Sequence, residues 1–280
     1  INIYYYMKTI YYYQTFIGLD KLLTHLPDID IINVSSIHFD QSKEGEKNIY
    51  LNDNLPYDPK FNQLWEQVEQ ANAEGVTIML MVGGAGGAYT NLFKDFQTYY
   101  PMLKKLLIDK SFISGIDIDI EESVSLDNVK MFMNQLKLDF PDILLSMAPV
   151  SEAMETNNPG LGGFSYKELY RSEEGQFINW FNVQCYQDFS FHTYDGIIMN
   201  GYPPEKINMG MLSGQFNQNN FSNALEEIKK ILEKYPNSGG VFDWEYLNAP
   251  PNKNDPSDWC RLIKQIDMIF FEKCGNIILE

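Results

Sequence analysis

The chain has 280 residues, 44% of them hydrophobic, with 38 Asp and Glu against 21 Lys and Arg and a formal net charge of −17. That length and apolar content suit one sizeable α/β domain with its own core. The acidity excludes nucleic acid and anionic membrane as partners, since both need clustered cations, and no apolar run approaches the ~20 residues that span a bilayer.

Short β-branched runs alternate along the chain with segments of helical period. Strands are expected near residues 3–6, 31–36, 77–82, 115–120, 144–148, 182–184, 206–211 and 240–242. Tyrosine-rich stretches stand at both 4–6 and 11–13, and the first strand is placed on the earlier one, ending at Tyr6. Helices are expected at 61–73, 91–107, 125–139, 221–234 and 258–271. In the first of these Phe61, Leu64, Trp65 and Val68 form an i, i+3, i+4, i+7 stripe. Eight strand–helix units in a chain of this length predict a (β/α)8 TIM barrel forming a single domain over 1–280, with an open doubly wound sheet as the alternative. In a barrel the chemistry lies at the C-terminal ends of the strands. Only about 28 residues separate Met211 from Gly240, room for one helix and no inserted domain.

The fourth of these strands reads Gly-Ile-Asp-Ile-Asp-Ile-Glu-Glu from Gly115 to Glu122. Alternate side chains of a strand face opposite ways, and residues two apart are separated by ~6.6 Å. Asp117, Asp119 and Glu121 therefore share one face and three isoleucines the other. On a half-exposed edge strand this would be a solvated acidic face. Inside a barrel the acids must be desolvated, which costs several kcal/mol per unpaired charge. Close like charges also raise at least one pKa, and a carboxyl kept protonated is a general acid.

Residues 114–121 resemble the D-G-x-D-x-D-x-E signature of glycoside hydrolase family 18, the chitinase and endo-β-N-acetylglucosaminidase family. Ser114 stands in place of the first Asp. Four other stretches are similar to strands of that family: Leu-Met-Val-Gly-Gly at 80–84, with Met81 where Ser is usual; Leu-Leu-Ser-Met-Ala-Pro-Val at 144–150; Val-Gln-Cys-Tyr-Gln at 183–187, with Gln187 where Asn is usual; and Gly-Gly-Val-Phe-Asp-Trp-Glu-Tyr at 239–246. Gly-Gly-Ala-Gly-Gly-Ala-Tyr at 83–89 lacks the Lys-Ser/Thr ending of a phosphate loop and reads as a loop close to substrate.

The resemblance implies a substrate-assisted retaining mechanism, in which the substrate's own acetamide oxygen attacks C1 to give an oxazolinium ion. It implies Glu121 as acid and then base, Asp119 as the group that orients the acetamide and stabilises its positive charge, and Asp117 as the deeper proton partner of Asp119. Tyr186 would hydrogen-bond the acetamide carbonyl. Gln184, Trp244 as a pocket floor, Met147, Gly83, Gly84, Tyr89 as a stacking ring, Gln187 and Tyr6 are the expected substrate-binding residues. Cis peptides are implied at Ser35–Ser36 and Trp244–Glu245. The short form of the family, with an open groove, favours endo cleavage, and the first expectation is an endochitinase-like hydrolase of the β-1,4 links of N-acetylglucosamine polymers, with an oligosaccharide or polysaccharide containing N-acetylglucosamine as its partner. The alternatives are an endo-β-N-acetylglucosaminidase acting on the chitobiose core of N-glycans, or a non-catalytic lectin or glycosidase inhibitor.

No cofactor is expected. His25, His38 and His192 are dispersed, and Cys185, Cys260 and Cys274 have no zinc-type spacing, so no metal site is expected either. A monomer is expected. Asn220-Phe221-Ser222 is a glycosylation sequon, and a secreted or lysosome-like setting is favoured over the cytoplasm.

Overall fold

The computed structural model describes residues 6–41 and 45–277. Its first strand, β1 (Lys8–Tyr13), pairs in parallel with β2 (Ile31–Gln41) on one side and with the last strand, β9 (Gly240–Trp244), on the other, which closes the sheet. Between them the order runs through β4 (Thr77–Gly83), β5 (Ile113–Asp119), β6 (Leu144–Met147), β7 (Trp180–Gln184) and β8 (Ile207–Leu212), each parallel to the next. Eight parallel strands with helices between them make a (β/α)8 barrel.

The first strand corrects the sequence reading. The tetrapeptide Ile-Tyr-Tyr-Tyr occurs twice, at 3–6 and at 10–13, and the second copy forms the strand. Residues 3–5 lie outside the described residues, and Tyr6 precedes β1. Sequence pattern alone could not separate two identical copies. Alternation then sorts the tyrosines: Ile10 and Tyr12 point into the barrel, while Tyr11 and Tyr13 join the core between strands and helices. The hydroxyl of Tyr11 donates to the Pro256 carbonyl and accepts from the Cys260 amide, tying β1 to the C-terminal helix.

An unforeseen strand, β3 (Lys47–Leu51), pairs antiparallel with the outer end of β2 and extends it beyond the barrel mouth. The helical segments are α1 (Asn62–Ala73), α2 (Tyr89–Lys94), α3 (Phe96–Asp109), α4 (Leu126–Asp139), α5 (Ser151–Glu155), α6 (Tyr166–Arg171), α7 (Phe191–Met199), α8 (Phe221–Lys234) and α9 (Ser257–Ile277). The single helix expected over 91–107 is two, because Asp95 takes an extended φ of −143° between α2 and α3. Ser125 begins α4 as its N-cap, its hydroxyl accepting from the Asn128 amide. Only α8 and single-turn helices lie between β8 and β9, so no α+β domain is inserted there. No helix among the described residues is long and apolar enough to cross a membrane.

Candidate active site

Strand β5 sets the site. Its register against β4 slips between Ile113 and Gly115, so Ser114 sits in a bulge at the N-terminal end of the strand. Beyond the slip, Ile116, Ile118 and Ile120 pack into the strand–helix core, and Asp117, Asp119 and Glu121 climb the inside of the barrel toward its mouth. Ser114, where the family signature carries its first acid, lies three residues below Asp117, about 10 Å along the strand. It lines a shallow depression at the bottom of the barrel with Ser111 and Asp142, away from the inward row of acids.

Asp117 is fully buried, and its oxygens accept from three donors on three other strands. The Tyr12 hydroxyl is at 2.7 Å, the Asn182 amide at 3.0 Å, and the Ser146 hydroxyl completes the set. Burial pushes its pKa up and these three donors pull it back, leaving it raised. Hydrogen bonds to a charged group are worth about 1.5–3 kcal/mol each, enough together to offset several kcal/mol of desolvation. Met81 stands beside Asp117 on β4 and offers no hydroxyl, whereas Ser146 stands beside it on β6 and does.

Asp119 is treated differently. It is 4% exposed, and its one side-chain donor is the Gln184 amide at 3.2 Å. Burial, reinforced by the charges of Glu121, Asp117 and Glu122, pushes its pKa well above the ordinary carboxyl range. Asp119 is therefore pushed further toward its neutral form than Asp117 is. The Gln184 amide also reaches the Ala148 carbonyl at 2.9 Å and Glu121 Oε1 at 3.4 Å, which fixes its orientation between the two upper acids.

Above this row opens a cavity of about 280 Å³ lined by Ser36, Met81, Gly83, Gly84, Asp119, Glu121, Gln184, Tyr186 and Trp244, among others. Trp244 packs on Tyr12, ring centroids 5.3 Å apart and planes tilted by 57°, and Tyr12 on Phe242 at 5.0 Å and 59°, so a cluster of three tilted rings underlies one wall. Gly83 has a φ of +105°, and a Cβ there would lie 2.0 Å from the Asp119 carbonyl oxygen. The neighbouring Gly84 amide donates to that same oxygen at 2.9 Å. The close approach of this loop to β5 thus depends on glycine. Ser35–Ser36 and Trp244–Glu245 are both cis, at the two positions expected.

Four expected substrate-binding residues fall elsewhere. Tyr6 is 62% exposed and precedes β1, at the end of the barrel opposite the mouth. Met147 alternates with the inward Ser146 and so faces the helix layer. Tyr89 is fully buried, its hydroxyl donating to the Val82 carbonyl at 2.8 Å and its ring against Phe93 and Phe132, so it is a packing residue and cannot stack on a sugar. Gln187 follows β7 as an exposed loop residue and does not line the cavity. Glu122, which points away from the acidic row, accepts from the backbone amides of Tyr89 and Thr90 and so anchors the start of α2.

Sequence reasoning missed Tyr12, Ser146 and Asn182, which hold Asp117. Position in strand was the available signal: each is the inward residue of a barrel strand at the level of Asp117. It could be read for Ser146 and Asn182, and was hidden for Tyr12 by the repeated tetrapeptide.

A closed (β/α)8 barrel with a graded row of carboxylates rising to an aromatic-walled pocket at its C-terminal mouth is the architecture of a barrel glycoside hydrolase. No family model and no curated protein matches the sequence. Among solved structures, a fungal endo-β-N-acetylglucosaminidase of glycosyl hydrolase family 18 is 29% identical over 92% of this chain and 97% of that one, with a TM-score of 0.81. A chitinase of Aspergillus fumigatus is 28% identical over 92% of this chain and 99% of that one, with a TM-score of 0.79. A chitinase-like agglutinin of Robinia pseudoacacia, 12% identical over 91% of this chain and 99% of that one with a TM-score of 0.62, shares the fold. These likenesses, at 28–29% identity over nearly the whole of both chains, support a glycosidase of glycoside hydrolase family 18.

Proposed function

We propose that this glycosidase cleaves β-1,4 links between N-acetylglucosamine residues within a chain, with retention, through an oxazolinium intermediate formed by the substrate's own acetamide. The observation that carries this reading is the pairing of a buried Asp119, held toward its neutral form by burial and by its acidic neighbours, with Glu121 at the pocket. A protonated carboxyl is a poor nucleophile, so a role beside the acetamide fits Asp119 better than covalent attack on C1. Glu121, last in the row and nearest the mouth, protonates the glycosidic oxygen and later takes a proton from water. As positive charge develops on the acetamide nitrogen it favours ionised Asp119, and Asp117, next in the same row, is placed to share the proton that Asp119 gives up. Tyr186 bonds the acetamide carbonyl, and Trp244 gives the sugar ring an apolar floor.

One observation favours a second reading, an endo-β-N-acetylglucosaminidase acting on the chitobiose core of N-glycans. A groove of about 680 Å³ adjoins the pocket, and polar side chains dominate its lining over aromatic ones. That suits a branched, hydroxyl-rich glycan. The test is turnover of a fluorogenic chitotrioside and of a high-mannose glycopeptide by the wild type and by Glu121→Gln. We expect the chitotrioside to be cleaved by the wild type and spared by the variant. Cleavage of the glycopeptide alone would favour the second reading. Binding of either sugar without any turnover would mean a lectin.

A further inference from the structure

The groove and the pocket meet at β2. They share Gln14 and Ala85, and Ser36 lines the pocket while His38 lines the groove. Two residues apart on the strand, Ser36 Oγ and His38 Nε2 are 2.8 Å from each other. The backbone beneath them is pinned from the far side of the hairpin. The Ser36 amide donates to Asn52 Oδ1 at 3.2 Å, the Asn52 amide donates to the Ser36 carbonyl at 2.9 Å, and Asn52 Nδ2 donates to the Gln14 carbonyl at 3.0 Å. Asn52 has a φ of +52°, in the left-handed region that Asn tolerates better than most side chains. This is what β3 does for the site: it carries Asn52 back to the mouth.

We propose that Ser36 and His38 are a positioning pair for the sugar held in the groove next to the one in the pocket, with neutral His38 accepting the Ser36 proton so that Ser36 Oγ accepts from a hydroxyl of that sugar. The proposal rests on the glycosidase reading above. A neutral imidazole whose Nε2 accepts carries its one ring proton on Nδ1, so protonation of His38 at Nε2 reverses the pair. Ser36 then accepts from imidazolium on one of its two lone pairs, and its own proton turns toward the sugar hydroxyl it had accepted from.

The surroundings set the direction of the effect. Burial lowers the His38 pKa, and the carboxylates that face it, Glu122 beyond β5, Asp53 beyond β3 and Asp40 on β2 itself, oppose that shift. A neutral sugar filling the groove displaces water and deepens the burial, which favours the neutral ring further. Binding therefore releases a proton where His38 is partly protonated, and affinity falls as pH drops through the His38 pKa.

Binding of penta-N-acetylchitopentaose and of a high-mannose glycopeptide to the Glu121→Gln protein, followed by calorimetry at about pH 5 and about pH 7.5, tests this away from turnover. We expect the Kd of the sugar that binds to rise about three- to tenfold on going to the lower pH. His38→Gln, whose side-chain carbonyl still accepts from Ser36 and does not titrate, is expected to lose that part of the rise. Ser36→Ala is expected to weaken binding about three- to tenfold at the higher pH and to lose the same part. Any pH response owed to Asp119 is common to all the proteins, so the difference between them is the readout. An undiminished pH response in His38→Gln, or undiminished affinity in a folded Ser36→Ala, overturns the pair and leaves the glycosidase reading standing. Failure of both sugars to bind, with no turnover by the wild type, overturns the two together.

Discussion

Two strands of the barrel carry acids at alternate positions, and they face opposite ways. On β5, Asp117, Asp119 and Glu121 point into the barrel and rise to the pocket. On β9 the inward residues are Phe242 and Trp244, so Asp243 points out into the core shared with the helices. Glu245, just past β9, turns back to accept from the Gln14 and Thr15 amides. Both strands bury a carboxyl completely, yet Asp117 receives three side-chain donors and Asp243 shares one hydroxyl. Three donors offset much of the cost of a charge on Asp117, whereas Asp243, with a single partner, is pushed further toward the neutral acid.

The largest expected effect separates the last acid of each row. Glu121→Gln should lower kcat by about 10²–10⁴-fold, the range that general acid–base groups supply. Glu245→Gln keeps an oxygen for the Gln14 and Thr15 amides and should change kcat less than about tenfold. Comparable losses in the two variants would mean that β9 contributes to the chemistry as directly as β5 does.

A smaller effect separates the two buried aspartates through the pH dependence of kcat/KM. Asp119 is raised by burial first and then by the Glu121, Asp117 and Glu122 charges, and burial raises Asp117 as well, so the acid limb, where the pair takes up its second proton, should lie above the ordinary Asp pKa of about 3.9. Asp117→Asn removes one of those like charges and should move the limb to lower pH. Asp243→Asn should leave the limb where it is. A limb that stays fixed in Asp117→Asn would break the coupling between Asp117 and Asp119.

How much of this was legible in the sequence follows from the same geometry. Strict alternation made the β5 row readable, because Ile and acid can trade places only if the register slips, and the slip occurs at Ser114, before the acids begin. The eighth-strand Trp and its cis peptide, Gly83, Gly84, Gln184 and Tyr186 came from spaced motifs, and all of them lie at the mouth. Met147 was misplaced by one position, a parity error that alternation with Ser146 would have caught. Tyr89 looked like a loop aromatic, and its burial depends on Phe93 and Phe132 from two helices, a tertiary fact. Tyr12 and the Asn52 turn were hidden for different reasons. The first sits in a tetrapeptide that occurs twice, and the second depends on a hairpin whose partner strand has no strong pattern of its own.

The smallest effect is on stability and tests the claim that Asp243 is neutral. Ser213 Oγ lies 2.7 Å from Asp243 Oδ2 and 2.8 Å from the Glu245 carbonyl oxygen, and one hydroxyl hydrogen cannot serve two acceptors. A protonated Asp243 resolves this: the carboxyl donates to Ser213, and Ser213 donates to the carbonyl. Burial is the main cause of its raised pKa, with Glu245 adding to it and the Ser213 bond opposing it. The sign then follows. An acid whose pKa is higher in the folded state contributes stability that is fully present below the unfolded pKa of about 3.9 and is lost as pH rises toward the folded value. Asn at this position donates to Ser213 at every pH and loses nothing. Urea unfolding should therefore find Asp243→Asn and the wild type equally stable near about pH 4, with the variant ahead by about 1–3 kcal/mol near pH 8. A gap that does not widen with pH would mean that Asp243 is ionised in the fold, and the contrast between β5 and β9 would lose its basis.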